Sequence, residues 1–401
     1  MTSSSTATLR AAALSSSGTA SNRLASPVLP AGLSDAEVVA RWLAAKATGR
    51  GRLAATTLAQ YRTEAERLFW YARHTGVPIS AWTLDDFSAY VAFLQAPAWW
   101  AIRARGVRRG TPDWRPFLGP LSDASAGQSQ SIVTSLFDWL CEIGHLQLNP
   151  AAGLPTVGRI VVEKQARFLS PADTALLREA IDARPEPTRE ARLGKARDRF
   201  MVDLFERTGL RASEAIACQM GHVVIEPVPA TLRADFPDAP PVTWQLRVAR
   251  GKGGKARWVP CDEIALSLQT YRIAFGLPPV PAPDDTLPLL LSVRRTKFGQ
   301  WKGLRDRTAV WKLVTGLCEE ALAWAKAQRR AVDAERLREA STHWLRHSYA
   351  KGLAAAVGAG LDARDALANM GHTDIRTFNQ YVDDEPTRRA LATARARQTA
   401  R

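Results

Sequence analysis

Four short segments in the second half of the chain gather residue types that can act on a phosphate ester. Residues 206–217, ERTGLRASEAIA, set Gly209, where one helix can stop, two positions before Arg211, where the next can open. A helix start offers free amide donors beside the guanidinium, and both suit an anionic oxygen. Glu214 follows three residues later on nearly the same face and can hold a cation in place, although an ordinary surface pair has the same spacing. Gly251, Lys252, Gly253, Gly254 and Lys255 make a tight hairpin between strand-like segments. Its tip delivers an ammonium, which either gives a proton to a departing oxygen or is simply solvated. Residues 342–349, THWLRHSY, put His343 and Arg346 on one side of a helix. A base that titrates near neutrality beside a permanent cation fits a phosphodiester. Residues 369–381, NMGHTDIRTFNQY, end a helix at Gly371, place His372 in the turn and bring Tyr381 nine residues later.

The elements that must position these groups divide into a tail and two domains. Residues 1–34 lack acids, are rich in Ser, Thr and Ala, and read as a disordered tail, with a weaker likeness to a transit peptide. Residues 35–154 read as a helical domain. Thr57 and Gln60 have capping-box spacing, followed by Leu58, Tyr61, Ala65, Leu68, Phe69 and Ala72 on one apolar face. A second helix is expected from Gln128 to the stop at Gly144. Between them, residues 99–118 mix Trp99, Trp100 and Trp114 with Arg103, Arg105, Arg108, Arg109 and Arg115. Arginine pairs with phosphates and tryptophan stacks on bases, so this loop either contacts DNA or is a solvated loop anchored by its tryptophans. Residues 155–168 form a linker that carries Lys164 and Arg167 as further phosphate contacts. Ser170, Pro171 and Asp173 then open the second domain, 169–401, with an N-cap, a first-turn proline and an acid at the positive helix end. That domain is expected to be mainly helical with a small β component, since Val242, Trp244, Leu246 and Val248 alternate with polar residues.

Composition narrows the partner. Across 401 residues, 54 Lys and Arg against 39 Asp and Glu give a net charge of +15, which favours a polyanion, nucleic acid first. The four cysteines show no disulfide or zinc pattern, and ordinary packing explains the Cys141/His145 and Cys218/His222 spacings better than a metal does. No cofactor and no membrane span are expected, and a cytoplasmic location fits.

Taken in order, TGLRASE, GKGGKARWVP, HWLRHS and GHTDIRTFNQY resemble the tyrosine recombinase family, which includes phage integrases and Xer-type recombinases. The resemblance is firm over 170–385 and looser over the N-terminal helices, which look like the family's core-binding, DNA-clamping domain. It implies a mixed α/β catalytic domain in which Tyr381 attacks a scissile phosphate, forming a 3′-phosphotyrosine without ATP or metal. Arg211 and Arg346 would clamp the phosphoryl oxygens, supported by Glu214. Lys252 would be the general acid, His343 a proton-transfer or positioning group, and His372 a hydrogen-bond donor; Lys255 is a further DNA contact. The partner would be double-stranded DNA at a recombination site, with self-association into a tetramer. The default is a mobile-element integrase. A type IB topoisomerase-like or telomere-resolving enzyme, or a catalytically silent architectural protein, are the alternatives. Tyr349, three residues after Arg346, is the rival nucleophile, and its place in a helix favours packing instead. The basic segment after Pro386 either docks on a neighbouring protomer or touches DNA.

Overall fold

The computed structural model describes residues 22, 24, 28–30, 32–49, 51–157, 167–249 and 256–371. The chain divides into two compact units, Met1–Glu163 and Lys164–Arg401.

The first unit is built on α1 (Asp35–Ala47), α2 (Ala55–Thr75), α3 (Leu84–Gln95) and α4 (Asp123–Glu142). Its core is aromatic: Trp42, Trp82, Phe87, Tyr90 and Phe137 are all buried. Phe137 meets Phe87 edge-on at 5.8 Å and lies 6.1 Å from Trp82. Rings of this size supply the largest share of burial energy, roughly 1.5–3 kcal/mol for each fully buried side chain of the Phe class. The apolar face of α2 is the expected one, with Leu58, Ala65, Leu68 and Ala72 buried.

The start of α2 differs from the expected one. The helix begins at Ala55, with Ala54 as an N-cap that makes no side-chain bond, so Thr57 lies inside the first turn. Gln60 donates instead to Glu64 at 2.5 Å. Glu64 is buried and also accepts from Arg67 at 2.8 Å and Ser129 at 2.6 Å, a polar tie between α2 and α4. Helix α4 starts five residues earlier than expected, capped by Ser122, because its first turns bury small and polar residues, Ala126, Gly127, Ser129 and Gln130. Most of the 1–34 segment lies outside the described residues. Within it, Asn22 exchanges side-chain bonds with Leu148 at 2.9 and 3.0 Å, and Leu24 donates to the His145 carbonyl at 2.9 Å.

The second unit opens with α5 (Pro171–Asp182), whose Ser170 cap and Asp173 form a capping box with proline in the first turn. Helices α6 (Arg189–Thr208) and α7 (Ala212–Ala217) follow. Then come β1 (Val223–Pro227), the short α8 (Ala230–Asp235), β2 (Val242–Val248) and β3 (Arg257–Pro260). The strands form one antiparallel sheet in the order β1-β2-β3, with Leu246 of β2 opposite Val223 on one side and Val259 on the other. These three side chains are buried, as the alternation in β2 requires. The chain continues through α9 (Ala265–Ala274), α10 (Arg307–Ala327), α11 (Ala334–Glu339), α12 (Thr342–Gly358) and α13 (Ala363–Met370). Helix α6 is central, packing against α5, α9 and α12. Its Phe200 stacks on Tyr271 of α9 at 4.8 Å, and the Tyr271 hydroxyl accepts from the Leu291 amide at 2.7 Å. Among the described residues no helix is long and apolar enough to cross a membrane.

Candidate active site

Helix α6 stops at Gly209, which takes the left-handed conformation at φ +59°. Only glycine fits twice over, since a Cβ there would fall 2.2 Å from Tyr349 Cδ1. Leu210 is buried, and Arg211 becomes the N-cap of α7. The Arg211 amide donates to Glu214 Oε2 and its Nη1 to Oε1, each at 2.8 Å. Glu214 therefore holds Arg211 as the spacing implied.

A third residue completes this cluster. Arg257, at the start of β3, donates through Nη1 and Nη2 to the two Glu214 oxygens, both at 2.9 Å. Burial alone would push the Glu214 carboxyl up, but the hydrogen bonds and charges of Arg257 and Arg211 hold it down at about 2. Sequence reasoning missed Arg257. The signal that could have found it is strand alternation: Arg257 shares the inward face of β3 with Val259, while Trp258 points to solvent. A cation on an inward strand face needs an acid, and here that acid lies 43 residues away.

Helix α12 carries His343 and Arg346. Arg346 is only 2% exposed. Its guanidinium donates through Nη1 to the Gly209 carbonyl and through Nη2 to the Met370 carbonyl, the latter at 2.5 Å. Arg346 thus joins the end of α6 to the end of α13, where Gly371 takes the left-handed conformation at φ +61°. His343 stands at the surface one turn earlier. Its pKa is lowered first by partial loss of hydration and then by the positive charges of Arg346, Arg211 and Arg167. The positive charges of three arginines from separate segments thus all disfavour the charged imidazole. His347, also missed from the sequence, meets the His343 ring edge-on at 4.3 Å.

Tyr349 packs beneath Gly209, and burial, with the Glu263 charge adding, pushes its phenol up to about 12. Such a phenol is a poorer nucleophile at neutral pH than an ordinary tyrosine. Lys164, Lys252, Lys255, His372 and Tyr381 lie outside the described residues.

The arginine-rich loop of the first unit separates into two groups. Arg103 donates to the Arg115 carbonyl at 2.6 Å and lies over Trp114; Arg115 donates to the Pro112 carbonyl at 2.7 Å. Arg109 pairs with Glu66 and also lies over Trp114. These three fold the loop onto itself and onto α2. Arg105 and Arg108 are exposed and have no side-chain partner among the described residues. Trp100 stacks on Trp70 at 5.2 Å and on His74 at 4.9 Å, whereas Trp99 is 85% exposed. Stacking of Trp100 anchors the loop, while Trp99, Arg105 and Arg108 stay exposed.

No family model matches the chain. It is 29% identical over 319 residues to tyrosine recombinase XerC of Xylella fastidiosa, covering 79% of this chain and 86% of the relative. It is 27% identical over 352 residues to tyrosine recombinase XerD of Corynebacterium glutamicum, covering 86% and 93%. Its fold is similar to the Tn1549 transposon integrase in complex with a circular intermediate DNA, with a TM-score of 0.56 and 16% identity over 92% of this chain and all of that one. It is likewise similar to XerH site-specific recombinase bound to its difH substrate, with a TM-score of 0.54 and 15% identity over 84% and 79%. Likeness of sequence and of fold extends over most of both partners in each comparison, so the chain is similar throughout to the tyrosine recombinases and integrases.

Proposed function

We propose that this protein cuts and rejoins double-stranded DNA at a specific site through a covalent 3′-phosphotyrosine on Tyr381. The observation that supports the reading is the seating of two arginines at one turn: Arg211 is held by Glu214 at 2.8 Å, and Arg346 donates to the Gly209 carbonyl, both from motifs that carry the family resemblance. In this reading Tyr381 attacks the scissile phosphorus as the 5′ oxygen leaves. Arg211 and Arg346 stabilise charge on the non-bridging oxygens, His343 positions the phosphate or takes the Tyr381 phenol proton, and His372 donates a hydrogen bond to the phosphate. Lys252 protonates the leaving 5′ oxygen. The covalent ester keeps the bond energy, so rejoining needs no nucleotide.

The Tn1549 neighbour supports a mobile-element integrase as the form of this activity, and the tetramer on paired sites follows from the family resemblance. The first unit is the DNA clamp. A random-sequence library of nicked duplexes tests this reading. The protein is expected to retain a DNA subset in detergent-resistant complexes without added metal or ATP. Recovery of none overturns it.

A further inference from the structure

Arg257 has no role in the chemistry just described, yet it touches two of the segments that carry it. Its side chain is 10% exposed. Both Nη groups bind Glu214, and Nε donates to the Asn369 carbonyl at 3.3 Å, in the last turn of α13. The chain then passes directly over the guanidinium. A Cβ at Gly371 would lie 3.0 Å from Arg257 Nη1 and 3.1 Å from Cδ and Cζ. Gly371 precedes His372 in sequence, and Arg257 follows Lys252 by five residues.

The charge count explains why one arginine is not enough. Glu214 is buried, and each of its oxygens accepts one bond from Arg211 and one from Arg257. With Arg211 alone, the pair would be neutral, and a second anion would gain little from approaching it. With Arg257 present the cluster carries a net charge of +1. Arg257 is also the more enclosed guanidinium, at 10% exposure against 26% for Arg211. The buried cation compensates the carboxylate, and the accessible one keeps its charge for a phosphate.

We infer that Arg257 is a positioning residue, which locks the rotamer of Glu214 and so holds Arg211 in place and charged, while fixing the end of α13 before His372. It acts through Glu214 and the α13 backbone and does not touch the DNA. The inference rests on Arg211 being a phosphate-binding group. Lysine at 257 would keep a charge but not the planar fork that spans both Glu214 oxygens and the Asn369 carbonyl.

The test compares Arg257→Lys and Arg257→Met with the unaltered full-length protein, using two readouts. The first is covalent capture of a nicked duplex selected from the random library, at saturating protein, beside the Kd for the same duplex. A misplaced catalytic group costs on the order of 100-fold in rate. Arg257→Met is expected to lose about that much in cleavage rate with Kd changed less than about threefold, and Arg257→Lys at least about tenfold. Adding Glu214→Gln to Arg257→Met should restore part of the rate, because the carboxylate that neutralises Arg211 is gone. The second readout needs no DNA: the NMR titration midpoint of His343 should rise in both variants, as the Arg211 charge is neutralised or displaced. Should Arg257→Met fail to fold, Arg257→Lys decides. Cleavage by Arg257→Lys within twofold of the parent, a rate loss matched by lost binding or lost folded protein, or an unchanged His343 midpoint each overturns the inference. If the unaltered protein captures no DNA, the proposed function fails, and the His343 midpoint still decides whether Arg257 holds Arg211.

Discussion

The ring of Tyr349 lies so close to Gly209 that a Cβ at position 209 would fall 2.2 Å from Cδ1. This contact makes Tyr349 a packing residue of the turn that presents Arg211. Gly209→Ala combines that clash with a strained left-handed backbone and is expected to destabilise the protein by about 3 kcal/mol or more, read from chemical denaturation. Tyr349→Phe keeps the ring and should change stability by less than about 1 kcal/mol. It should still form the covalent complex with DNA. Loss of that complex with folding intact would make Tyr349 a participant in the chemistry.

The Glu214 carboxyl, held at about 2 by Arg257 and Arg211 against an ordinary value of 4.5, links folding to acid. Its folded value lies below the unfolded one, so its contribution is complete above about pH 4.5 and is lost as pH falls toward 2. A shift of that size corresponds to on the order of 3 kcal/mol. Glu214→Gln should be less stable at pH 7 by about that amount, because two arginines lose their counter-charge. Between pH 4.5 and 2 its stability should fall less steeply than the parent's. Parallel acid profiles from urea denaturation would contradict the assignment.

The His343 imidazole should titrate below its ordinary value in the free protein, since partial loss of hydration and then the three arginines disfavour its charged form. Removing one cation relieves part of that effect. Arg167→Ala is therefore expected to raise the His343 midpoint measured by NMR. A midpoint that stays fixed would place Arg167 too far away to belong to the site.

In the loop of the first unit, the arginines should separate by phenotype. Arg105→Ala and Arg108→Ala are expected to weaken DNA binding, each reducing the salt slope of log K by about 1 for every phosphate it no longer neutralises. Arg103→Ala removes the bond to the Arg115 carbonyl and the packing on Trp114, so it should speed proteolysis within residues 99–118. Arg109→Ala breaks an exposed pair with Glu66, worth at most about 1 kcal/mol. Equal salt slopes for the parent and the Arg105 and Arg108 variants would remove this loop from the DNA-binding surface.

Local chemistry was legible in the sequence wherever a few adjacent residues decide the outcome. Ser170, Pro171 and Asp173 start α5, Gly209 and Gly371 end α6 and α13, and alternation marks β2. Reasoning from spacing alone failed at Thr57 and Gln60, because the spacing is also met inside a helix whose backbone starts earlier. Strand β1 was not legible because five residues ending in Glu226 and Pro227 show little pattern of their own; pairing with β2 defines it. Within the site, the i,i+3 pair of Arg211 and Glu214 was visible. The ties from Arg257 to Glu214 and from Arg346 to the Gly209 and Met370 carbonyls join residues far apart in sequence. Nothing local marks such partners beyond an arginine on an inward face.

The central claim is that Tyr381 becomes covalently joined to DNA. Protein trapped on a nicked duplex can be digested with protease and nuclease, and the nucleotide-bearing peptide sequenced by mass spectrometry. The account predicts a single modified peptide with the 3′-phosphate on Tyr381, absent from Tyr381→Phe and retained in Tyr349→Phe. A nucleotide on any other residue, or an adduct that survives Tyr381→Phe, would contradict it.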